Sequence, residues 1–430
     1  MSRAHTRRQF LQQSALAGAG LWLTAGRASA QRPSANDKLN IAVIGISGRG
    51  GQDLKGVASE NIVALCDVDE NLAAKPCSEF PKAKFYTDFR KMLEQKDIDA
   101  VVVGTPDHIH APAAMMALRA SKHVYCEKPL THSVFEARTV AEMAAKMKRA
   151  TQMGIQIHAD SNYRRVVEVI QKDILGPIRE VHVWCGKSWA GSDRPKETPP
   201  VPAGLHWDLW LGPAPSRPYH PCYHPAKWRG WWDFGGGTLS DMACHYMDLP
   251  HWALELRHPV TIETEGPPAH PESAPDWLIV RYEYPARQAK PPVKLTWYHG
   301  GKRPPHFAEE GKMPKWGDGV LFVGAKGMLI ADYTRYVLLP EKDWVGFTPP
   351  APFIPESIGH HKEWIEACKT GGPTTCNFDY SGALSETVLL GNVAHRAGKK
   401  LEWDARNLKI TNAPDAMQFI RRSYRAGWEL

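Results

Sequence analysis

The sequence predicts an α/β fold class, in which an N-terminal domain with a doubly wound parallel sheet precedes an α+β domain with an open, largely antiparallel sheet. Apolar runs alternate with helical segments over residues 39–148, and the first run ends in a glycine-rich turn, which predicts the first domain. After about Met153 apolar and polar residues alternate and proline-rich stretches separate the runs, which predicts the second. A chain of 430 residues is long enough for two domains of ordinary size.

The elements of the first domain follow in chain order. Leu39–Gly45 is an apolar run interrupted only by Asn40, as expected of a parallel strand that is covered on both faces. Strands alternating with helices imply right-handed crossovers and hence a doubly wound sheet. The later strands are predicted at Asn61–Cys66, Ala100–Gly104 and His123–Cys126, with helices between them that include Ala111–Arg119 and Phe135–Lys148.

The second domain is predicted from strands with alternating apolar residues at Ile178–Val183, Trp277–Tyr284 and Val293–Tyr298. Two helices are predicted late in the chain, at His360–Lys369 and Ser381–Ala397. The resulting division is a leader at residues 1–30, a first domain at 31–152 and a second domain at 153–430.

The leader has the pattern of an export signal. Thr6–Leu11 contains the pair Arg7 and Arg8, an apolar stretch runs from Ser14 to Gly26, and Ala28–Ala30 supplies the small residues of a cleavage site. A short membrane anchor is the alternative, but the stretch falls short of the roughly 20 residues needed to span a bilayer. The twin-arginine route carries folded proteins, so we expect a periplasmic enzyme that retains a cofactor bound before export. No later segment predicts a membrane span.

The charge balance argues against a nucleic-acid partner. The 53 Lys and Arg exceed the 46 Asp and Glu by 7, but four arginines and no acidic residue lie in the first thirty positions. The rest of the chain has 49 basic residues against 46 acidic ones. Nucleic-acid binding requires a basic stripe, and so small a surplus does not predict one.

A glycine-rich turn at Gly45–Gly50 follows the first strand and precedes a predicted helix. Glycines allow the tight turn and let backbone N–H groups approach a pyrophosphate at a helix N-terminus. Asp67 follows 22 residues after Gly45, at the end of the second strand, where a carboxylate can accept hydrogen bonds from an adenosine ribose. Because no Lys or Arg lies between Val68 and Asn71, NAD is favoured over NADP. An ordinary strand-to-helix turn is the alternative.

A second group of polar residues falls at positions suited to chemistry. Lys128 follows the fourth strand, at the carboxyl edge where ligands bind in such sheets, and can hydrogen-bond a substrate hydroxyl. Asp241 and His245 follow a triple-glycine turn, and their i, i+4 spacing places them on one helical face. The alternatives are a solvated lysine at a strand end and a carboxylate that stabilises a helix dipole beside an unrelated histidine.

Together these motifs resemble the Gfo/Idh/MocA family, the relatives of glucose-fructose oxidoreductase and inositol dehydrogenase. The segments at 207–213, 228–234 and 424–428 are similar to its twin-arginine-exported branch. The resemblance covers residues 38–430 and implies a Rossmann domain followed by a substrate domain, with the late helices at about 360–397 packing back onto the first domain. It also implies a homodimer or homotetramer that forms through the open sheet.

The resemblance implies roles for individual residues. Lys128, Asp241 and His245 would form the catalytic group: His245 takes the hydroxyl proton, Asp241 orients the imidazole, and Lys128 holds the reacting oxygen. Ser47 departs from the family by replacing a glycine of the cofactor loop, and Ile155 stands where relatives often carry Asn. The implied cofactor-binding residues are Gly45, Ser47, Gly48, Arg49, Gly50, Asp67, Thr105, Pro106, His108, His110, Glu127, Lys128 and Gln156. The expected substrate-binding residues are Lys128, Tyr163, His206, Arg229, Trp231, Trp232, Asp241 and His245.

Tryptophan is concentrated on the presumed substrate side. Eight of the sixteen tryptophans fall between residues 184 and 252, and flat aromatic faces suit the C–H faces of sugar rings. Packing in the core or at a subunit contact is the alternative for each of them. The histidines at 220 and 224 lie in a loop stiffened by proline with no further run of ligands, so no metal site is predicted.

The predicted function is an NAD(P)-dependent oxidoreductase, with NAD favoured, that acts on a hydroxyl or keto carbon of a sugar, polyol or glycoside. The alternative is an NAD-dependent glycosidase or lyase that oxidises its sugar transiently before it breaks a bond. A third class, a non-catalytic sugar-binding protein, is disfavoured because Lys128, Asp241 and His245 are all present.

Overall fold

A computed structural model describes residues 38–309, 311 and 313–430; the predicted export signal lies outside them. The first sheet is entirely parallel, with strand order β3-β2-β1-β4-β5-β6. Its strands are β1 (Asn40–Ile44), β2 (Asn61–Cys66), β3 (Lys84–Tyr86), β4 (Ala100–Val103), β5 (His123–Glu127) and β6 (Thr151–Gly154). The helices between them are α1 (Gly48–Gly56), α2 (Glu70–Glu79), α3 (Phe89–Met92), α4 (Asp107–Arg119) and α5 (Val134–Met147).

The order of the strands reverses between β1 and β4, and this point locates the site. In doubly wound sheets ligands bind outside the carboxyl ends of the strands at such a reversal. The interior residues of β1 and β4 are fully buried, as their apolar runs predict. The sequence did not predict β3 or β6. β3 is a three-residue edge strand with largely exposed side chains, and β6 contains Thr151 and Gln152, whose polarity hides the burial of the strand.

The second sheet has nine strands in the order β13-β12-β11-β7-β10-β9-β8-β14-β15, and only β7 and β10 pair in parallel. The predicted fold class is therefore confirmed. Its strands are β7 (Ile178–Cys185), β8 (Thr261–Glu265), β9 (Leu278–Tyr284), β10 (Val293–His299), β11 (Gly319–Gly324), β12 (Gly327–Ala331), β13 (Tyr336–Leu339), β14 (Leu401–Asp404) and β15 (Lys409–Ile410). The helices of this part are α6 (Ser161–Gln171), α7 (Trp207–Leu211), α8 (Gly237–Leu254), α9 (His360–Thr370) and α10 (Phe378–Ala397). Short 3₁₀ helices lie at Gln156–Ala159, Lys227–Gly230, Pro305–Phe307, Glu341–Trp344 and Pro414–Phe419.

The two late helices pack against elements of the first sheet. Trp364 of α9 is fully buried with its ring edge against Tyr125 of β5, with ring centroids 5.7 Å apart. Ser385 of α10 accepts a hydrogen bond from the backbone N–H of Leu130 at 3.1 Å. This bond holds the turn that follows β5, and that turn carries Lys128.

Across residues 38–309, 311 and 313–430, no helix combines the length and apolarity that a membrane span requires. All eight cysteines lie in these residues, and none forms a disulfide there.

Candidate functional site

A cavity of about 410 Å³ opens at the carboxyl ends of β1, β2 and β4. The glycine turn, Asp67 and Thr105 form one wall, and residues of the second domain around Trp210 and Arg229 form the other. Of the predicted cofactor-binding residues, those that line it are Gly45, Ser47, Gly48, Arg49, Asp67, Thr105 and Pro106.

The glycine turn is shaped by close backbone contacts. Gly45 has a φ of +77°, and a Cβ there would lie 2.8 Å from the carbonyl oxygen of Gly104. A Cβ on Gly50 would lie 1.9 Å from the carbonyl oxygen of Gly45. Ser47 is the N-cap of α1, but its side chain makes no capping hydrogen bond, so the first N–H groups of the helix keep their donor capacity. Larger residues at Gly45 or Gly50 would displace this backbone.

Asp67 lies at the end of β2 and points into the same cavity. Its two carboxylate oxygens accept hydrogen bonds from the backbone N–H groups of Ile46, at 3.0 Å, and Asp69, at 3.1 Å. Burial raises the pKa of the carboxyl, and these two hydrogen bonds oppose that rise. An ionised carboxylate can accept about four hydrogen bonds, so Asp67 retains capacity for a ribose hydroxyl.

Lys128, Asp241 and Arg229 form a buried charged group beside the cavity. The Lys128 ammonium donates to Asp241 Oδ1 at 2.6 Å and to the Asp241 carbonyl oxygen at 2.9 Å. Arg229 Nε donates to the same Oδ1 at 3.0 Å. The side chains of Lys128 and Asp241 are each 11% exposed. The sequence predicted that these three residues share the site, and the structure brings them together.

The environment fixes the charges of this pair. Burial disfavours both ions, but the attraction of Lys128 and Arg229 outweighs it and holds the pKa of the Asp241 carboxyl well below its usual range. Burial likewise opposes the Lys128 ammonium, and the carboxylates of Asp241 and Glu127 nevertheless raise its pKa. At neutral pH the site therefore holds an ammonium and a carboxylate.

His245 lies one turn after Asp241 on α8 and is half-buried. Burial, reinforced by the charge of Lys128, lowers the pKa of its imidazole to about 3, so the ring is neutral at neutral pH. Its Nδ1 is buried and has no hydrogen-bond partner. The sequence predicted that Asp241 orients this ring. The structure instead directs the Asp241 carboxylate to Lys128 and Arg229, because a cation is the better partner for a buried carboxylate.

Glu127 belongs to a buried network behind the cavity. Its Oε1 accepts hydrogen bonds from Arg49 Nε at 3.2 Å and from Gln156 Nε2 at 2.6 Å. Burial, followed by repulsion from Asp53, raises the pKa of the Glu127 carboxyl to about 7. A Cβ on Gly154 would lie 2.1 Å from Glu127 Oε1, so a larger residue here would displace the Glu127 carboxylate. Glu127 and Gln156 therefore support Arg49, which lines the cavity, and do not line it themselves.

His108 and His110, both predicted to bind cofactor, are fully buried and do not line the cavity. His108 Nε2 lies 2.8 Å from the carbonyl oxygen of Trp210. The ring nitrogens of His110 lie 2.7 and 2.8 Å from the carbonyl oxygens of Pro129 and Thr105. These histidines join backbone segments, and His110 connects the turn that carries Lys128 to the turn that carries Thr105.

Two predicted substrate-binding residues lie elsewhere. The ring of Tyr163 is fully buried, and its hydroxyl donates to the backbone carbonyl of His245 at 3.1 Å. This hydrogen bond helps to fix the position of α8. His206 lies beside α2, with its Nε2 2.8 Å from Glu70 Oε1. Both side chains of this pair are exposed, and the contact with Glu70 holds His206 beside α2, apart from Lys128.

Trp231 and Trp232 are core residues, in line with the alternative considered for them. Their indole N–H groups donate to the carbonyl oxygens of Cys222 and His270, at 3.0 and 2.9 Å, and neither ring lines the cavity. The tryptophans that do line it are Trp210 and Trp228. The Arg229 guanidinium stacks over the Trp228 ring at 4.3 Å, which orients it towards Asp241.

The residues of the cavity fit a bound dinucleotide. The start of α1 keeps uncapped N–H groups beside the cavity, and Asp67, which lines the same cavity, keeps acceptor capacity. Thr105 Oγ1 is buried and lacks a hydrogen-bond partner. A buried hydroxyl without a partner is costly, and a ligand in the cavity would supply one.

Comparison with known families agrees with this geometry. The model of GFO_IDH_MocA, an oxidoreductase family with an NAD-binding Rossmann fold, matches residues 39–155, and the model of its C-terminal alpha/beta domain matches residues 160–288. The chain belongs to the Gfo/Idh/MocA family. The predictions of this oxidoreductase family and of an NAD-binding domain are confirmed.

Individual members of the Gfo/Idh/MocA family resemble parts of the chain. Inositol 2-dehydrogenase from Salmonella typhimurium is 29% identical over 168 residues, which are 38% of this chain and 49% of the relative. A glycosyl hydrolase family 109 protein from Saccharopolyspora erythraea is 29% identical over 205 residues, 41% of this chain and 45% of that protein. The chain thus spans about half the length of the curated relatives it matches.

One solved structure resembles nearly the whole chain. The WlbA dehydrogenase from Chromobacterium violaceum superposes with a TM-score of 0.61 at 18% identity, over 87% of this chain and 98% of that one. At this identity the likeness concerns the fold.

The sequence did not point to two residues that lie near Lys128, Asp241 or His245. Asp107 begins α4 directly after Pro106, and burial raises the pKa of its carboxyl to about 8, although Lys128 and Arg229 attract its charged form. An acidic residue at a helix start that follows a strand end was the available signal. Tyr333 lies in the turn between β12 and β13, outside any motif, and its ring centroid is 6.4 Å from that of His245.

Proposed function

We propose that this protein is an NAD-dependent oxidoreductase that oxidises a secondary hydroxyl of a sugar, polyol or glycoside, or reduces the corresponding ketone. The observation that carries the proposal is the ammonium of Lys128 held 2.6 Å from Asp241 Oδ1, with His245 one turn further along the same helix, beside the cavity of the glycine turn.

Residues of the first domain would hold the cofactor. The glycine turn and the start of α1 suit the pyrophosphate, Asp67 suits a ribose, and Thr105 offers its unpartnered hydroxyl. When bound, the oxidised nicotinamide supplies the acceptor for the hydride that leaves the carbinol carbon. The chain's own residues then have two tasks, to hold the reacting oxygen and to accept its proton.

Lys128 suits the first task. An ammonium has three N–H donors, and Asp241 Oδ1 and the Asp241 carbonyl oxygen accept two of them. The third remains for the oxygen of the substrate. Because the carboxylates of Asp241 and Glu127 raise the pKa of Lys128, this residue acts as a donor that stabilises negative charge on that oxygen and does not act as the base.

His245 suits the second task. Its imidazole is neutral at neutral pH and has a nitrogen free to accept a proton. During oxidation the hydroxyl proton passes to this ring as the oxygen gains negative charge beside Lys128, and in the reverse direction the imidazolium returns it. A positioned base contributes roughly 10²–10⁴-fold to such a transfer.

The substrate class is inferred from the lining and from relatives. Trp210, Trp228 and Arg229 line the cavity, where the two rings present flat faces and the guanidinium supplies donors, and Lys128 supplies a further donor beside the cavity. WlbA was solved with NADH and UDP-GlcNAcA, and the inositol dehydrogenase acts on a polyol by name. Both support a polyhydroxylated substrate for this chain.

The proposal is tested in two steps. Mass spectrometry of the nucleotide released from the purified protein identifies the cofactor, and a screen of sugars and glycosides for keto products identifies the substrate class. H245A should then lose at least ~10²-fold in hydride transfer while NAD binding is unchanged. K128M should be similarly inactive, whereas K91M, at an exposed lysine paired with Glu94, should match the wild type. Unchanged turnover in H245A would contradict the assignment.

A second candidate is an NAD-dependent glycosidase, and the similarity to a glycosyl hydrolase family 109 protein favours it. Oxidation of a ring hydroxyl to a ketone would acidify the neighbouring C–H, and loss of that proton would expel the aglycone. Addition of water to the resulting enone and return of the hydride to the ketone would then release the free sugar. Release of free sugar without net NADH supports this candidate. Accumulation of a keto sugar together with NADH supports the dehydrogenase.

We further propose export by the twin-arginine route, with the nucleotide retained, and assembly into a homodimer or homotetramer. The Arg7 and Arg8 pair supports export. Replacing both with lysine should leave the protein in the cytosolic fraction, and light scattering of the purified protein should give a mass two or four times that of one chain.

A further inference from the structure

The outer face of the nine-stranded sheet is covered by the chain itself. Alternate residues of β7 point to opposite faces: Val181 and Val183 pack in the main core, whereas Trp184 packs in a separate apolar cluster with Tyr298 and Trp316. Phe307, within the segment 300–309, also packs against this outer cluster, as does Met313. The segment 300–309 therefore reaches the outer face of the sheet at Phe307.

Three metal-ligating side chains meet beneath this segment. Glu180 and His182 occupy alternate positions of β7 on the outer face, and His306 lies in the 3₁₀ helix Pro305–Phe307. His182 Nε2 is 2.6 Å from Glu180 Oε1, and the rings of His182 and His306 have centroids 4.8 Å apart. One ligand atom from each of the three lies within 4.8 Å of the others. His306 Nδ1 is buried without a hydrogen-bond partner.

We propose that Glu180, His182 and His306 bind a divalent transition metal ion of the zinc type, which clamps the segment 300–309 to the outer face of the sheet. Two imidazoles and one carboxylate are a recognised ligand set for Zn²⁺, in which water completes the coordination. The carboxylate side chain is 47% exposed, so solvent reaches the fourth position, while the His182 side chain is only 4% exposed.

Tyr298 provides the outer support that such a site needs. Its hydroxyl lies 2.9 Å from His182 Nδ1, the ring nitrogen that faces away from Glu180. Coordination through Nε2 ends the present hydrogen bond to Glu180 and leaves the imidazole proton on Nδ1, from which it is donated to the Tyr298 oxygen. Such a partner fixes the tautomer and the orientation of a ligating histidine.

A second cluster with suitable ligand types, formed by His158, Asp248 and Cys376, differs from the proposed metal site. There the Asp248 carboxylate accepts hydrogen bonds from the Tyr380 hydroxyl at 2.6 Å and pairs with His158 Nδ1 at 2.9 Å. The His158 ring stacks on Trp252 at 3.9 Å. The Asp248 carboxylate thus already has hydrogen-bond partners, and all three side chains are buried. We therefore interpret this cluster as a hydrogen-bond network that stabilises the fold.

The test is a Zn²⁺ titration of the full purified protein after chelation, by calorimetry, with metal content measured by mass spectrometry. We expect one Zn²⁺ per protein chain and a rise in Tm when Zn²⁺ is added. A visible absorption band should appear when Co²⁺ replaces Zn²⁺. H306A and E180Q should each bind Zn²⁺ at least ~10-fold more weakly and lose the Tm rise, and Y298F should bind roughly 10–100-fold more weakly.

H270A is the matched control, because His270 forms an exposed pair with Asp193 at 3.1 Å. This variant should bind Zn²⁺ as the wild type does. The proposal is overturned if the wild type takes up no Zn²⁺, or if H306A and E180Q both bind it with wild-type affinity. If H306A fails to fold, E180Q and Y298F decide the question through the same affinity measurement.

Discussion

Replacing Asp241 with asparagine removes the carboxylate that two cations share. Lys128 Nζ and Arg229 Nε lie 2.6 and 3.0 Å from Asp241 Oδ1, and the side chains of Lys128 and Asp241 are each only 11% exposed. Unit charges 4 Å apart at an effective dielectric constant near 20 attract by about 4 kcal/mol. This attraction holds the Lys128 ammonium in the position that the proposed mechanism requires, so the rate falls because the ammonium is misplaced. Since ~1.4 kcal/mol corresponds to a tenfold change in rate, and the amide oxygen recovers part of the contact, we expect kcat/KM of D241N to fall by about 10²–10³-fold.

The assay is hydride transfer followed by NADH absorbance, with the substrate that the glycoside screen identifies, alongside calorimetric titration with NAD. Affinity for NAD should be unchanged, because the residues that line the dinucleotide cavity are intact. D208N is the control, since Asp208 is an exposed carboxylate paired with Arg425, and it should match the wild type. A kcat/KM of D241N within about threefold of wild type would refute the role of this carboxylate.

The same variant makes a prediction for stability. The pKa of Asp241 lies below its usual value near 3.9, so the ion pair stabilises the fold above about pH 4 and is lost as the pH falls through the pKa of the folded state. D241N should therefore be less stable than wild type to urea at pH 7. The difference should shrink as the pH is lowered below 4.

Three further predictions concern the cavity and its surroundings. G50A should bind NAD at least ~10-fold more weakly, because the new Cβ would lie 1.9 Å from the Gly45 carbonyl oxygen. The control G317A should bind NAD normally, because no atom lies within 4 Å of its Cβ. Equal affinities of the two variants in calorimetry would contradict this account. Burial raises the pKa of Asp107 in the folded state to about 8, so this carboxyl contributes stability that is lost as the pH rises from about 4 to 8. The difference in urea stability between wild type and D107N should therefore change by that contribution over this pH range, and a difference that stays constant would contradict the raised pKa. W231A should lower the free energy of unfolding by about 3–5 kcal/mol without changing NAD affinity, and a large loss of affinity would return Trp231 to the binding site.

Elements with a strong hydrophobic pattern were predictable from the sequence, and weakly patterned ones were not. The helix predicted at Phe135–Lys148 spans Val134–Met147, since a capping box of Ser133 and Glu136 fixes its start. β6 escaped prediction because Thr151 and Gln152 are buried through hydrogen bonds to distant residues near Cys376 and His360, which no local pattern records. Long-range polar contacts of this kind override the local signal.

The site could be predicted to the extent that each of its residues lies within, or directly after, a helix or strand that the sequence pattern reveals. Lys128 follows β5, and Asp241 and His245 share a face of α8, so their meeting follows from topology. The topology does not determine which of these side chains form ion pairs. Arg229 reaches Asp241 from a 3₁₀ turn whose path depends on the packing of Trp228 and Trp231. The sequence placed these indoles at the substrate, whereas the folded chain uses Trp231 to build the wall that carries Arg229.

The pairing of Asp241 with the two cations changes the expected division of labour. If the carboxylate oriented His245, it would make the imidazole more basic and draw the hydroxyl proton strongly. Bound to Lys128 and Arg229 instead, it leaves a weakly basic imidazole beside an ammonium. The same ammonium that lowers the pKa of His245 also lowers that of any hydroxyl it binds, so both ends of the proton transfer shift in the same direction. The driving force is thereby restored for a substrate oxygen that contacts Lys128, while a hydroxyl elsewhere in the cavity meets only a poor base. In the proposed mechanism, contact with Lys128 therefore determines which carbon is oxidised, and His245 accepts the proton from the hydroxyl that Lys128 binds.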